Sequence, residues 1–211
     1  MRPVLIPGLA VALAIAASAC AGKGNDSARP PPSWQSQISD PDRQLLAKLW
    51  GAWTRALAQA DKAGMRANLA QFGNMVVPDT AVPAAFPGPG NYRCRTITIG
   101  IREGGVPTPG VPAMTTGQSV PCTITERKGL LWFEQQAGPQ RIGGKMYADG
   151  DRMVFLGSMA LAGEIGMLPY GTDGQRDQVG VLKAYGDRRW RIELPWPKWQ
   201  SNLALIEILP A

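Results

Sequence analysis

The sequence predicts a mainly β domain: an eight-stranded antiparallel meander closed into a barrel, with a pair of helices on its N-terminal side. Three observations carry this. Apolar residues recur at three- and four-residue steps up to about residue 77, and beyond Gly88-Pro89-Gly90 the texture changes to short alternating runs. Turn residues divide those runs at close intervals, Asp149-Gly150 being the clearest hairpin signal, and connections this short force antiparallel neighbours. Strands paired in sequence order leave two open edges unless the sheet closes on itself. A two-sheet sandwich is the alternative that fits the same pattern.

In chain order, residues 1–19 read as a secretory signal. Met1 and Arg2 give a short positive start, and residues 4–16 are almost wholly apolar. That run is shorter than the ~20 residues a membrane-spanning helix needs, whereas a charge, a short apolar stretch and then small residues make a cleavable leader. Ala17-Ser18-Ala19 precede Cys20, which resembles the lipobox of bacterial lipoproteins, where that cysteine becomes the lipidated first residue of the mature chain. The usual Leu is missing at Ala17, so cleavage after Ala19 without lipidation stands as the second reading. Residues 20–39 are small, polar and proline-rich around Pro30-Pro31-Pro32. Such a stretch buries no core and reads as a disordered tether. One folded domain is expected over 40–211, with helices at 40–77 and the barrel at 90–211.

Asp40 is the expected N-cap, Pro41 fits the first helical position, and Asp42 complements the positive end of the helix dipole. Leu46, Leu49, Trp53, Leu57 and Ala60 then form one apolar stripe that Gly64 ends, with Trp50 and Trp53 both expected in the core. A shorter helix is predicted over 65–74, with Met65, Leu69 and Phe72 on one side. The predicted strands are 92–101, 120–126, 130–136, 140–148, 152–160, 176–185, 188–194 and 203–209.

Composition removes most common enzyme classes. The chain has no His, which excludes Ser–His and Cys–His nucleophile pairs and His-ligated zinc. No phosphate-binding glycine loop or dinucleotide fingerprint is present. The net charge of +6 is scattered, whereas a nucleic-acid face needs a concentrated stripe. No catalytic residue, metal or cofactor is therefore assigned. Glu126, Glu134, Glu164, Asp173, Asp177 and Glu193 would serve a glycosidase-like pair only if two of them faced each other; solvated positions on turns and strand faces are the simpler reading. Asp173 and Asp177 would offer oxygens to calcium, but the loop lacks the closing Glu of an EF-hand, and turn formation accounts for them.

Cys20, Cys94 and Cys122 are the three cysteines. With Cys20 lipidated, the even pair left in an oxidising compartment reads as one structural disulfide, Cys94–Cys122; two separate buried thiols are the alternative. Arg93 and Arg95 share a strand face with Ile97 and Ile99, and Tyr92, Cys94, Thr96 and Thr98 share the other. Facing inward, the two guanidinium groups would receive a carboxylate or phosphate; facing outward, they are ordinary solvated side chains. Trp132 and Trp190 lie in strands and line either a pocket or the core. Trp196 and Trp199 stand in Pro195-Trp196-Pro197-Lys198-Trp199, a stiff loop suited to a partner surface, a sugar ring, or capping of the barrel mouth.

Several β segments look familiar. Gly90-Asn91-Tyr92-Arg93-Cys94-Arg95-Thr96-Ile97, Gln140-Arg141-Ile142-Gly143-Gly144 with Tyr147, Val154-Phe155-Leu156-Gly157, Tyr170-Gly171-Thr172-Asp173 with Arg176-Asp177, and Arg189-Trp190-Arg191 resemble an uncharacterised family of exported alphaproteobacterial domains. The likeness covers residues 50–211 and implies no catalytic or binding residue. A looser likeness, of fold alone, is to small lipocalin-type barrels and barrel-shaped protease inhibitors. The expected function is an envelope-tethered lipoprotein acting as a binding or interaction module. A structural or inhibitor-like envelope lipoprotein without a ligand cavity is the alternative, and a His-free carboxylate hydrolase the third reading. Expected partners are the membrane, through the lipid anchor, and a small apolar or anionic ligand, a glycan or an envelope protein. Ala21, where inner-membrane retention favours Asp, places the anchor in the outer membrane ahead of the inner, with the domain facing the periplasm.

Overall fold

The computed structural model describes residues 32–80, 82–83, 85–101, 112–198 and 201–211; the expected leader and Cys20 lie outside them. The described helices are α1 (Asp40–Ala47), α2 (Leu49–Lys62) and α3 (Arg66–Ala70). Nine strands follow: β1 (Gly90–Ile99), β2 (Met114–Thr116), β3 (Val120–Arg127), β4 (Leu130–Gln135), β5 (Gln140–Asp149), β6 (Arg152–Leu161), β7 (Asp177–Gly186), β8 (Arg189–Pro195) and β9 (Leu203–Pro210). All but β2 were expected. Neighbours pair antiparallel in sequence order from β3 to β9, and β1 pairs both β3 and β9. The β1–β9 ladder, from Tyr92↔Pro210 to Ile99↔Leu203, closes the barrel. A sandwich would leave that seam open.

Period-two alternation sorts the side chains. On β9, Ala204, Ile206 and Ile208 point inward and join Phe133, Met146, Phe155, Leu182 and Ile192 in the lumen core. Leu203 and Leu205 point outward and join Ile97 and Ile99 beneath Ala52, Trp53, Ala56 and Ala60 of α2. A Cβ on Gly144 would run into the Gly157 Cα and the Leu156 carbonyl, so β5 and β6 approach closely only because neither position carries a side chain. Cys94 and Cys122 are bridged across β1 and β3 inside the lumen, as expected. Their sequence separation of 28 makes the bridge worth about 3 kcal/mol through the unfolded chain.

Three expectations at the N-terminal side shift. The folded body begins at Trp34, inside the expected tether: Trp34 Nε1 donates to Asp149 Oδ1 at 3.1 Å, and Ile38 packs among Leu46, Tyr147, Val154 and Val181. An indole and an isoleucine within a polar stretch have a barrel face to bury against. Ser39, one residue before Asp40, is the N-cap; its Oγ accepts the Asp42 N–H at 3.3 Å, and the helix breaks at Lys48, where φ of −97° and ψ of 12° leave the helical region. Trp53 is 1% exposed, but Trp50 is 56% exposed. The buried stripe is narrow because α2 lies on a convex barrel wall, and Trp50 falls off its edge.

Charge is buried where the helices meet that wall. Arg191 (0% exposed) and Glu193 (1%) pair at 2.8 Å on the outer face of β8. Arg191 also donates to the carbonyls of Asn74, Met75 and Pro78 at 2.8–3.0 Å, and Trp53 Nε1 donates to Glu193 Oε2 at 2.9 Å. A buried ion pair is tolerated only when its remaining donors and acceptors are satisfied in this way. The cluster pins residues 74–78 and α2 to the barrel.

The two barrel ends differ. Tight hairpins β3–β4, β5–β6 and β7–β8 make a turn end. There Val82 and Phe86 pack onto the lumen core, Tyr92 and Trp190 meet edge-to-face at 6.0 Å, and Trp190 Nε1 donates to the Ala85 carbonyl at 2.9 Å. The other connections form a loop end. Its β6–β7 loop is held to α1 by Tyr170, whose hydroxyl donates to Asp42 Oδ2 at 2.6 Å; burial, then that bond, push the phenol up to about 12.

Candidate functional site

At the turn end and mid-barrel the lumen is solid with apolar side chains. Toward the loop end the inward residues of β1 become Thr96 and Thr98, and β3 begins only at Val120, opposite Cys94. Past that point the flank of β1 is covered by β2, just three residues long. The late start of β3 leaves a cleft of about 630 Å³ open to solvent at the barrel mouth. β1 and β2 supply Thr96, Thr98, Thr115 and Thr116; Gln118, Gln135 and Gln140 add amides; Val120, Ala137, Pro139 and Ile142 add apolar surface.

The polar groups are held in place. Gln135 is 3% exposed; its Nε2 donates to Thr96 Oγ1 at 3.3 Å and its Oε1 accepts the Ile142 N–H at 2.9 Å. Thr98 and Thr115 share a hydrogen bond of 2.5 Å between their hydroxyls. None of the described residues lining the cleft carries a charge. Such a wall offers hydrogen bonds and methyl surface and supplies no acid or base of its own.

The residues singled out from sequence are not brought together here. Arg93 and Arg95 face outward. Arg93 donates to Ser119 Oγ and O at 3.2 and 2.9 Å; Arg95 binds Glu207 at 2.6 Å and lies 5.0 Å over the Phe72 ring. They form no anion site in the lumen, because the strand phase that buries Cys94 turns both guanidinium groups out. Trp132 is on the outer face, between Arg127 at 5.0 Å and Lys145 at 5.7 Å. Trp190 is in the lumen but fills the turn end. Trp196, at a left-handed φ of 41°, packs against Gly51 of α2; Trp199 lies outside the described residues.

The six carboxylates are dispersed, and none lines the cleft. Glu193 is in the buried ion pair, and Arg176 at 2.6 Å holds the Glu164 carboxyl below its usual range. Asp173 accepts the Gln175 N–H at 2.9 Å and Asp177 the Gly171 N–H at 3.0 Å, so both shape their own loop. Sequence reasoning missed Thr115, Thr116, Gln118, Gln135 and Gln140, and left Thr96 and Thr98 without a role. One signal would have found the last two: if Cys94 bridges inside the core, every second residue of that strand faces the lumen.

Residues 34–208 match the family described as Domain of unknown function (DUF4893), and the chain belongs to that family. No curated protein and no solved structure matches the chain.

Proposed function

We propose that this member of the family is a membrane-tethered binding module of the bacterial envelope, with the cleft at the barrel mouth as its site. The observation that carries the reading is the contrast within one lumen: a filled turn end and a polar, solvent-open loop end of about 630 Å³, within the usual size of a small-molecule site. An inhibitor-like or purely structural barrel has no need of the second. The Cys94–Cys122 bridge supports an oxidising compartment, and the leader ending in Ala17-Ser18-Ala19-Cys20 supports export and lipidation.

The tether and the site suit each other. The chain joins the body at Trp34, beside Asp149 at the turn end. Thirteen residues separate Cys20 from Trp34 and reach at most about 45 Å, so an anchor on Cys20 would join the body at the filled end and leave the mouth clear of the attachment point.

Intact mass of the protein purified from its own envelope tests the placement: a chain starting at a lipidated Cys20 is expected, and one starting at Met1 would overturn it. A fragment-binding screen on the same material, with Val120→Trp as the blocked control, tests the module.

A further inference from the structure

We infer that the mouth takes an uncharged carbohydrate, bound through its hydroxyls around the ring and through one C–H face. This deepens the binding-module reading and rests on it. The first argument is charge. Among the described residues lining the cleft there is no Lys, Arg, Asp or Glu, so a carboxylate, phosphate or ammonium entering it would give up water and gain no counter-charge from these residues. Arg93 and Arg95, the nearest cations on β1, lie on the opposite strand face and are engaged with Ser119 and Glu207.

The second argument is polarity. A wholly apolar ligand, such as an acyl chain, would strip water from the Gln118 amide and from the Thr96, Thr98 and Thr115 hydroxyls, each of which has hydrogen-bonding capacity beyond its one internal bond. The ligand must carry donors and acceptors. Their arrangement then separates a sugar from a peptide. The polar side chains converge from β1, β2, the β2–β3 connection, the end of β4 and the start of β5, on several sides of the cleft. A pyranose presents hydroxyls around its whole perimeter. An extended peptide presents its backbone groups along two lines, which suits an edge strand. Threonine and glutamine each both donate and accept, as a sugar hydroxyl does. Val120, Ala137, Pro139 and Ile142 give the apolar patch that a ring face needs, and buried Gln135, fixed at both ends of its amide, is a preorganised member of the wall.

The test is calorimetric titration of the full chain, in a detergent without a sugar headgroup. The probes are maltotriose and chitotriose as neutral glycans, trigalacturonate as an anionic one, laurate as an acyl carboxylate and trialanine amide as a peptide. Binding of at least one neutral trisaccharide is expected, with trigalacturonate at least tenfold weaker. Thr98→Val and Thr115→Val keep the shape and are each expected to weaken the neutral glycan about three- to tenfold. Thr116→Trp, at an exposed rim position, and Val120→Trp are expected to abolish binding while the Cys94–Cys122 bridge stays formed. Laurate, trigalacturonate or the peptide binding tighter than either neutral glycan, and blocked by Thr116→Trp, would overturn the carbohydrate inference and leave the module standing. No probe binding at the mouth would overturn both.

Discussion

The turn end and the loop end of this barrel are made from the same eight strands, and they are finished differently. At the turn end three hairpins hold the strands tightly, the segment before β1 brings Val82 and Phe86 onto the lumen core, and Tyr92 meets Trp190 edge-to-face. At the loop end β3 starts at the level of Cys94, β2 covers three residues of β1, and the inward positions of β1 are Thr96 and Thr98. Side-chain alternation runs into both ends, with a register shift in β7 between Ala184 and Gly186 at the turn end. What differs is where strands stop and which residue types fill the inward phase. Room inside a small barrel is thus set by strand length at its rim.

The contrast can be broken by substitution. Trp190→Ala, at the filled end, is expected to cost about 3–5 kcal/mol in denaturant unfolding; a loss under ~1 kcal/mol would mean that this end is not packed. Replacing Cys94 and Cys122 together by Ala, at the boundary between the two regions, should cost about 3 kcal/mol, read as a lower midpoint relative to the oxidised wild type. Gln135→Ala leaves the buried Ile142 N–H without its acceptor and should cost about 1–2 kcal/mol. Thr98→Val, facing open cleft, should cost less than ~1 kcal/mol, and a loss as large as that at Trp190 would make the mouth a packed core.

The smallest expected effect concerns pH. Burial first, then the Asp42 and Asp173 carboxylates, raise the Asp177 carboxyl at the loop end above its ordinary value. The folded chain therefore holds this proton more tightly than the unfolded chain does. Its contribution to stability is present below the unfolded value, about 4, and is lost as pH rises through the raised folded value. Asp177→Asn keeps an acceptor for the Gly171 N–H, removes that slope and should leave the melting temperature at pH 7 equal or slightly higher. A fall of more than about 5 °C would contradict this.

The strands were legible because alternation and turn residues agree, as at Asp149-Gly150 between β5 and β6. β2 was not, since Met114-Thr115-Thr116 is too short to alternate. The phase of β1 was ambiguous from periodicity alone: Arg93 and Arg95 alternate with Ile97 and Ile99 on the face that turned out to pack under α2. Only the position of the disulfide settles it. The partners of Arg95 and Arg191 were beyond local pattern, because Glu207 is 112 residues from Arg95 and the Asn74 carbonyl 117 residues from Arg191. Gln135 was invisible for the same reason; nothing nearby in sequence says that its strand ends at a mouth.

Hydration of the lumen tests the contrast most directly. In a methyl-labelled sample, magnetisation transfer from water to the Thr96 and Thr98 γ-methyls is predicted, with none to the methyls of Ile192 and Leu182. Threonine methyls as dry as Ile192 would contradict a wet mouth above a filled barrel, and the binding site would lose its place.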